Sequence, residues 1–315
     1  MLERHEGLAR VEVDGRPCVA YPRLTGPVSL GDEVIVNVQA LELGLGSSGF
    51  DILHTNLTRG LELEPEPGAH VVTLPYTPLQ AAVRHAEEEG PLAADLGGLP
   101  VVCCTLHSQL APVCAGIGEG VRIAFVQVGG GALPVSLSDA VRAPKERGRI
   151  AVAVAAAPCV DGDVQCVGIH SALAWAVGAG CEVVVCAVGP GIVGTGTALG
   201  HGGLAAAGAT AATRALGGTA VLAIRYSEGD PRPRHLGISH HARAVLAAAG
   251  GDVRIGWPRG LDRPDWLTAE EVDVDGWKSA CAGLPLDHMG RGPDDDPWFF
   301  AVAFAAGRLA RAVMA

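Results

Sequence analysis

Two patterns of hydrophobic residues divide the chain. Up to residue 63, apolar and polar positions alternate over short runs, as in "LARVEVDGRPCVAYPRL" and "VSLGDEVIVNVQALEL". This alternation is typical of half-buried antiparallel strands, and Asp14-Gly15 between two such runs indicates a hairpin. The acidic, proline-rich stretch "LELEPEPG" at 61–68 has the composition of a linker. The pattern therefore predicts a small all-β domain over 1–66, either a barrel or a sandwich.

After about residue 70 the apolar runs become almost continuous and alternate with helical patterns. Such runs indicate parallel strands that are buried on both faces. The predicted strands are "HVVTL", "PVVCCTL", "RIAFVQV", "RIAVAVA", "EVVVCAV", "AVLAIRY" and "DVRIGW". Helices are expected over 78–89, 108–117, 164–177, 198–216 and 239–249, and a last one from Pro297, with Asp296 as its cap. We predict an α/β domain over 67–315 with a mostly parallel, doubly wound, Rossmann-like sheet and a C-terminal helix.

Composition narrows the classes of function. Hydrophobic residues make up 49% of the chain, but no apolar stretch is long enough to cross a membrane, and the charged N-terminus does not resemble an export signal. We therefore expect a cytoplasmic protein. The net charge is −11 and Lys145 and Lys278 are the only lysines, which argues against nucleic-acid or membrane partners. The nine cysteines form no CxxC pair and are expected to be reduced core residues, with Cys114 and Cys159 as the best thiol candidates.

A glycine-rich stretch follows the apolar run "CEVVVCAV". It reads "GPGIVGTGTALGHGG" over 189–203 and opens with the spacing G-x-G-x-x-G. Glycines let a backbone approach an anion closely, and the N–H groups of a following helix point at it. A dinucleotide is not expected, because Pro190 interrupts the motif and no acid stands about 20 residues later. An anion site and a tight turn both remain open; the anion interpretation uses Gly191, Gly194, Thr195, Gly196 and Thr197.

The stretch "RYSEGDPRPRHLGISHHARAVLAAAGG" is dense in polar groups just after a predicted strand. Ser239 can cap a helix that Gly250 ends. In one interpretation an anionic substrate binds here, with His235 or His240 as a general acid or base and with Arg225, Arg232, Arg234, Ser239 and His241 as ligand-binding residues. In a second, Asp230, His235 and His240 ligate a metal ion. In a third, these residues are structural.

Three further segments carry weaker signals. His107 and Ser108 end a predicted strand; His107 is a third candidate catalytic residue, and Ser108 is expected to cap a helix. Asp161 and Asp163 precede a predicted helix, so they cap it or supply carboxylates if a metal is bound. Arg291 is a residue that could reach the same site.

A family resemblance emerges from several segments in order. They are "GDEVIVNVQALELGLGSSGFD", "YTPLQAAV", "LHSQLAPV", "ALPVSLS", "GPGIVGTGTALG", "RHLGISHHARAVL" and "MGRGPDDDPWFFAVAFAAG". Together they resemble a bacterial family known only as domain-of-unknown-function family 3866, to which no activity is assigned. The chain departs from the family pattern near Gly130, where an acidic residue is missing, at Gln165, which replaces a carboxylate, and at His170, which replaces an aromatic residue. The resemblance implies altered activity if those groups carry chemistry.

These observations favour a protein that binds a small anionic metabolite, for example a phosphate-bearing one, and that turns it over if it is an enzyme. The ligand is expected at the carboxyl ends of the strands, between the 189–203 and 225–241 loops, where ligands of open α/β sheets bind. No cofactor is assigned. Two alternatives remain: a non-catalytic scaffold that forms a homo-oligomer through the aromatic residues at 298–304, and a metal-dependent hydrolase.

Overall fold

The computed structural model describes residues 2–44, 49–63 and 66–314. The first part of the chain forms a five-stranded sheet in the order β1-β2-β3-β5-β4, in which only β3 and β5 run parallel. Its elements are β1 (Glu3–His5), β2 (Leu8–Val13), β3 (Arg16–Ala20), α1 (Pro22–Thr25), β4 (Val34–Asn37), α2 (Gln39–Glu42) and β5 (Asp51–Asn56). The predicted β2–β3 hairpin is confirmed, because Asp14 and Gly15 both have positive φ, of 50° and 78°. The strand order is that of a sheet with two edges, and its closure into a barrel stays a prediction.

A short connecting region follows the first sheet. It contains the antiparallel pair β6 (Val71–Thr73) and β7 (Ala81–Val83) and a 3₁₀ turn at Ala86–Glu88. The prediction of a helix over 78–89 is therefore wrong, and "HVVTL" pairs with β7 instead of joining the main sheet. Residues 64 and 65 of the predicted linker lie outside the described residues, so the domain boundary at 66 stays a prediction.

The main sheet has six strands that all run parallel, in the order β11-β10-β9-β12-β8-β13. Helices cover both of its faces, α3, α4 and α9 on one and α5, α6 and α7 on the other. The elements from residue 100 onward are β8 (Pro100–Cys104), α3 (Leu110–Ile117), β9 (Ile123–Val128), α4 (Asp139–Glu146), β10 (Val152–Ala156), β11 (Val164–Cys166), α5 (Ile169–Gly178), β12 (Val183–Val188), α6 (Ala205–Ala215), β13 (Thr219–Ala223), β14 (Tyr226–Ser227), β15 (Gly237–Ile238), α7 (His240–Ala249), β16 (Gly256–Pro258), β17 (Glu270–Val272), α8 (Trp277–Ala280) and α9 (Pro297–Ala312).

Two helices, α5 and α6, begin later in the chain than predicted. The segment 164–166 is the edge strand β11, and the helix begins only at Ile169, so Asp161 and Asp163 cap no helix. After β12, the helix begins at Ala205 and not at 198, behind a 3₁₀ turn at Gly202–Leu204. The predicted strand "DVRIGW" contributes Arg254, which extends the main sheet by a parallel bridge to Val221, and Gly256–Pro258, which pairs with β17.

The last helix lies inside the core. Phe299, Phe300 and Phe304 have no exposed surface, and α9 crosses α3 so closely that a Cβ atom on Gly307 would lie 2.1 Å from the Val113 carbonyl oxygen. These rings are thus unavailable for the subunit interface predicted at 298–304; whether the chain forms oligomers stays untested. Asp296 precedes Pro297 as predicted but makes no capping bond, because its carboxylate accepts hydrogen bonds from the Ser227 hydroxyl and the Glu228 N–H.

The cysteines are core residues, as predicted. All nine are free and buried. Burial raises the pKa of both Cys114 and Cys159 to about 12, so neither is a reactive thiol. No helix in the described part of the chain is long and apolar enough to cross a membrane.

Candidate functional site

The histidines and arginines of the 225–241 segment gather at the carboxyl end of β13. The side chain of Gln109 fixes this end by donating hydrogen bonds to the carbonyl oxygens of Ala223 and Ile224. The next residue, Arg225, is only 2% exposed, and its guanidinium reaches two partners. One Nη donates to Asp230 over 2.6 Å and the other to Nδ1 of His235 over 2.9 Å. The end of a buried strand thus delivers a buried cation to the site.

Asp230 is saturated by arginine. Besides Arg225, it accepts hydrogen bonds from Arg232 and from Arg291, whose Nη2 lies 3.1 Å from Oδ2. Burial would raise the pKa of Asp230, but the bonds from Arg232 and the charge of Arg225 outweigh it and hold this pKa below its ordinary value. The oxygens of Asp230 are thus engaged by arginines, and its role as a metal ligand stays a prediction. The expectation that Arg291 reaches the site is confirmed.

Four histidine rings lie together beside the arginines that bind Asp230. The centroid of His235 is 4.9 Å from that of His240 and 5.0 Å from that of His241, while His201 stacks on His241 at 3.8 Å. Ser239 caps α7 as predicted: its hydroxyl accepts the His241 N–H and lies 2.7 Å from Nδ1 of His235. We call His201, His235, His240, His241 and the neighbouring arginines Arg225, Arg232 and Arg234 the histidine–arginine centre.

The pKa of each of the four histidines lies below its ordinary value. Burial and the charges of Arg225 and Arg232 lower the pKa of His235 to about 3, and burial and the neighbouring histidines do the same for His241. The pKa of His240 is lowered by burial and by the exposed Arg234, and that of His201 by burial. Five ring nitrogens on His201, His240 and His241 are buried without a hydrogen-bond partner. Buried ring nitrogens without partners are suited to hydrogen-bond to a ligand.

His201 was not predicted from the sequence, although it lies in the quoted glycine stretch. Glycines bring it into place, because a Cβ atom on Gly202 would lie 1.9 Å from the Gly130 carbonyl oxygen and one on Gly203 would lie 3.0 Å from that of Thr105. The loop after β12 can therefore cross the ends of β9 and β8 in backbone contact and set His201 against His241. An isolated bridge between Gly194 and His201 closes the loop.

The remaining part of the glycine stretch differs from a phosphate cradle. Gly191, Gly194, Thr195, Gly196 and Thr197 are exposed, and no helix begins directly after them. The two threonine hydroxyls lie 2.8 Å apart, and that of Thr195 also donates to the Gly200 carbonyl oxygen. The hydroxyls thus close the loop on itself, and the contribution of these five residues to ligand binding stays a prediction.

His107 lies outside the histidine–arginine centre. One ring nitrogen is 2.8 Å from the Val188 carbonyl oxygen, and the other is 2.5 Å from the Ser138 hydroxyl, which caps α4. Burial lowers the pKa of His107 to about 4. Both nitrogens are used in linking β12 to α4, so we leave His107 out of the proposed site. Its neighbour Ser108 bonds to Nδ1 of His288 over 3.1 Å rather than capping a helix, which corrects that expectation.

The fold and this centre define a class: an α/β protein in which histidines and arginines cluster at the carboxyl edge of a parallel sheet. The chain belongs to the family described as protein of unknown function DUF3866, whose model matches residues 17–272. Comparisons with curated proteins and with solved structures find no match.

Proposed function

We propose that the histidine–arginine centre binds a small molecule through an anionic group, such as a phosphate, and that His240 exchanges a proton with it. The observation that carries this proposal is the packing of four histidine rings beside arginines, with five of their ring nitrogens buried and without a hydrogen-bond partner. A negative group placed among them would offset the positive charge of the arginines and would find N–H donors on neutral rings.

The bonds around His235 favour an anion over a metal ion. Arg225 can only donate, so Nδ1 of His235 accepts, and in the neutral ring the proton then sits on Nε2. Metal-bound histidines show the opposite arrangement, in which the ring donates its second N–H to an acceptor and coordinates with the free nitrogen. His235 is therefore prepared as a donor to an anion.

Arg234 and His240 are the residues through which a ligand from solution would approach. Arg234 is exposed and His240 is half-buried, while His235 is only 1% exposed. Burial lowers the pKa of His240, and the charge of Arg234 lowers it further. An anion held by Arg234 would raise that pKa and allow His240 to take a proton from the ligand or give one to it.

Calorimetric titration with inorganic phosphate, glycerol 3-phosphate and sulfate tests this proposal. We expect Arg234→Ala and His240→Ala each to weaken binding by about tenfold, the cost of one charge-assisted hydrogen bond. His170→Ala and Arg311→Ala are matched controls, because His170 is an exposed residue in the first turn of α5 and Arg311 is exposed near the end of α9. Binding that is equal in all four variants, or absent from the unmodified protein, would contradict the proposal.

A metal centre is the second candidate. One nitrogen from each of His235, His240 and His241 lies within 4.8 Å of the others, close to the spacing of about 3.4 Å that a tetrahedral zinc ion imposes on its ligands. Such a site would require Arg225 to move away from His235. One zinc ion per chain by elemental analysis, lost in His241→Ala and unaffected by Arg225→Gln, would replace the anion proposal with this one.

A further inference from the structure

Two adjoining cavities lie away from the histidine–arginine centre, between the N-terminal sheet and the main sheet. The larger encloses about 710 Å³ between α1, the β6–β7 pair and the connection from β10 to β11. A neighbouring cavity of about 410 Å³ shares Arg23, Asp161, Gly162 and Asp163 with it. Sites for small molecules typically enclose about 300 to 1,000 Å³, so the larger cavity is of the right size for a ligand.

Asp161 occupies the wall that the two cavities share. Its side chain is 1% exposed, and neither carboxylate oxygen has a hydrogen-bond partner. Arg23 comes within 3.1 Å of Oδ1 as an ion contact outside hydrogen-bond geometry, and its guanidinium is divided among Asp161, Glu6 and the Gly162 carbonyl oxygen. A buried carboxylate with so little compensation is costly, and proteins retain such groups mainly where they serve a function.

The backbone at Asp161 is also unusual. Its φ is 66°, in the left-handed region that only glycine, asparagine and aspartate adopt readily. Gly7 closes over the carboxylate so tightly that a Cβ atom there would lie 2.5 Å from both oxygens. Strain of this kind collects at binding and catalytic sites.

The charge of the cavity wall indicates which ligand would bind. Four carboxylates face two guanidiniums among the residues that line the larger cavity: Glu66, Glu89, Asp161 and Asp163 against Arg23 and Arg84. Asp163 is already paired with Lys145, and Glu89 lies 3.5 Å from Arg84. Apolar side chains such as Leu24, Val83 and Val160 provide much of the remaining wall. The wall therefore suits a ligand with a positive group on an apolar body.

We propose that this cavity binds a small organic cation, a primary amine or an amidine on an apolar body, whose charged group pairs with Asp161. An ammonium group brings three N–H donors to the two oxygens that lack partners. The site is independent of the histidine–arginine centre, because the two share no residue.

Hexylamine, which is protonated at neutral pH, tests this proposal against hexanol and hexanoate, which have the same chain with a neutral and a negative head. By calorimetry or ligand-observed NMR at pH 7.5, we expect hexylammonium to bind at least tenfold more tightly than either. Asp161→Asn should reduce that affinity at least tenfold, since it keeps the shape and tolerates the same φ. Asp14→Asn is the matched control, an exposed aspartate that is also left-handed, with φ 50°.

A second variant separates loss of the charge from loss of the fold. Ala81 lines the larger cavity on the β7 wall, and Ala81→Trp should abolish hexylammonium binding by occupying that volume while the far-ultraviolet circular dichroism stays unchanged. The proposal is overturned if hexylammonium and hexanol bind equally, if Asp161→Asn binds as the unmodified protein does, or if no binding of hexylammonium is seen.

Discussion

Asp230 and Asp161 are both buried carboxylates, but the protein surrounds them in opposite ways. Asp230 receives hydrogen bonds from three arginines, and its pKa lies below the ordinary value. Asp161 has one shared ion contact with Arg23 and no hydrogen bond, and burial raises its pKa to about 6. The comparison teaches that burial alone does not set the direction in which the pKa of an acid shifts; the hydrogen-bond donors and charges around it also do.

The largest effect on stability is expected at Asp230, which receives hydrogen bonds from three arginines. Asp230→Asn should destabilise the protein by about 3 to 5 kcal/mol, because it leaves the buried Arg225 without its counter-charge. Unfolding by urea, followed by circular dichroism, measures this loss, with the exposed Asp14→Asn as the control. A loss below about 1 kcal/mol would show that Arg225 is compensated by other groups.

Asp161→Asn should change the free energy of unfolding in the opposite direction and stabilise the protein. A folded pKa of about 6, against about 3.9 in the unfolded chain, means that ionised Asp161 costs up to about 3 kcal/mol at neutral pH, so removing the charge stabilises the fold. The raised pKa makes the unmodified protein gain this stability as the pH falls from 6 towards 4, where Asp161 is protonated. The gain from the variant is thus full at pH 7.5 and absent at pH 4.

Other charged groups near Asp161 also affect its pKa, so the stability of Asp161→Asn is compared with that of a control variant. Burial raises the pKa of Asp161, the charge of Arg23 lowers it and that of Glu6 raises it. Burial, together with the charge of Asp161, raises the pKa of Tyr21. Urea unfolding at pH 4.5 and 7.5 should show a pH-dependent gain in Asp161→Asn and a pH-independent difference in Asp14→Asn. A variant less stable than the unmodified protein at pH 7.5 would show that Arg23 compensates the carboxylate fully.

The surroundings of Asp230 also show which features could be predicted from the sequence and which could not. Five of the six parallel strands of the main sheet and the cap of α7 by Ser239 were predicted, because they depend on local runs and spacings. The polar density after β13 likewise predicted where Arg225, His235 and His240 meet. That Asp230 is saturated by arginine could not be predicted, because one of its three donors, Arg291, comes from 61 residues away.

Two other features depend on contacts between distant loops. His201 joins the centre because glycines at 130, 202 and 203 allow backbones to touch, and no local pattern distinguishes such glycines from those of a turn. Asp161 was expected to cap a helix, but the sheet takes residues 164–166 as an edge strand, and the N-terminal sheet covers the connection before it through Leu8, Val19 and Leu24. Tertiary packing overrode the local signal at both places.

Ligand binding should respond to pH in the histidine–arginine centre. Since an anion raises the pKa of His240 from its lowered value, binding takes up a proton and strengthens as the pH falls. Sulfate, which does not titrate in this range, should bind more tightly at pH 5.5 than at pH 7.5. The dependence should vanish in His240→Ala and persist in His170→Ala; a pH profile that is the same in both variants would place the proton on another group.

The smallest expected effect comes from an acid with an intermediate number of donors. Asp51 is 3% exposed and receives Nε and Nη2 of a single arginine, Arg16, whose side chain is 42% exposed. Because solvent screens that pair and stabilises the arginine left behind, Asp51→Asn should cost about 1 kcal/mol, between the loss at Asp230 and the gain at Asp161. Urea unfolding at pH 7.5 on the three variants tests the order, and a loss at Asp51 as large as that at Asp230 would show that burial of the acid outweighs the number of its donors.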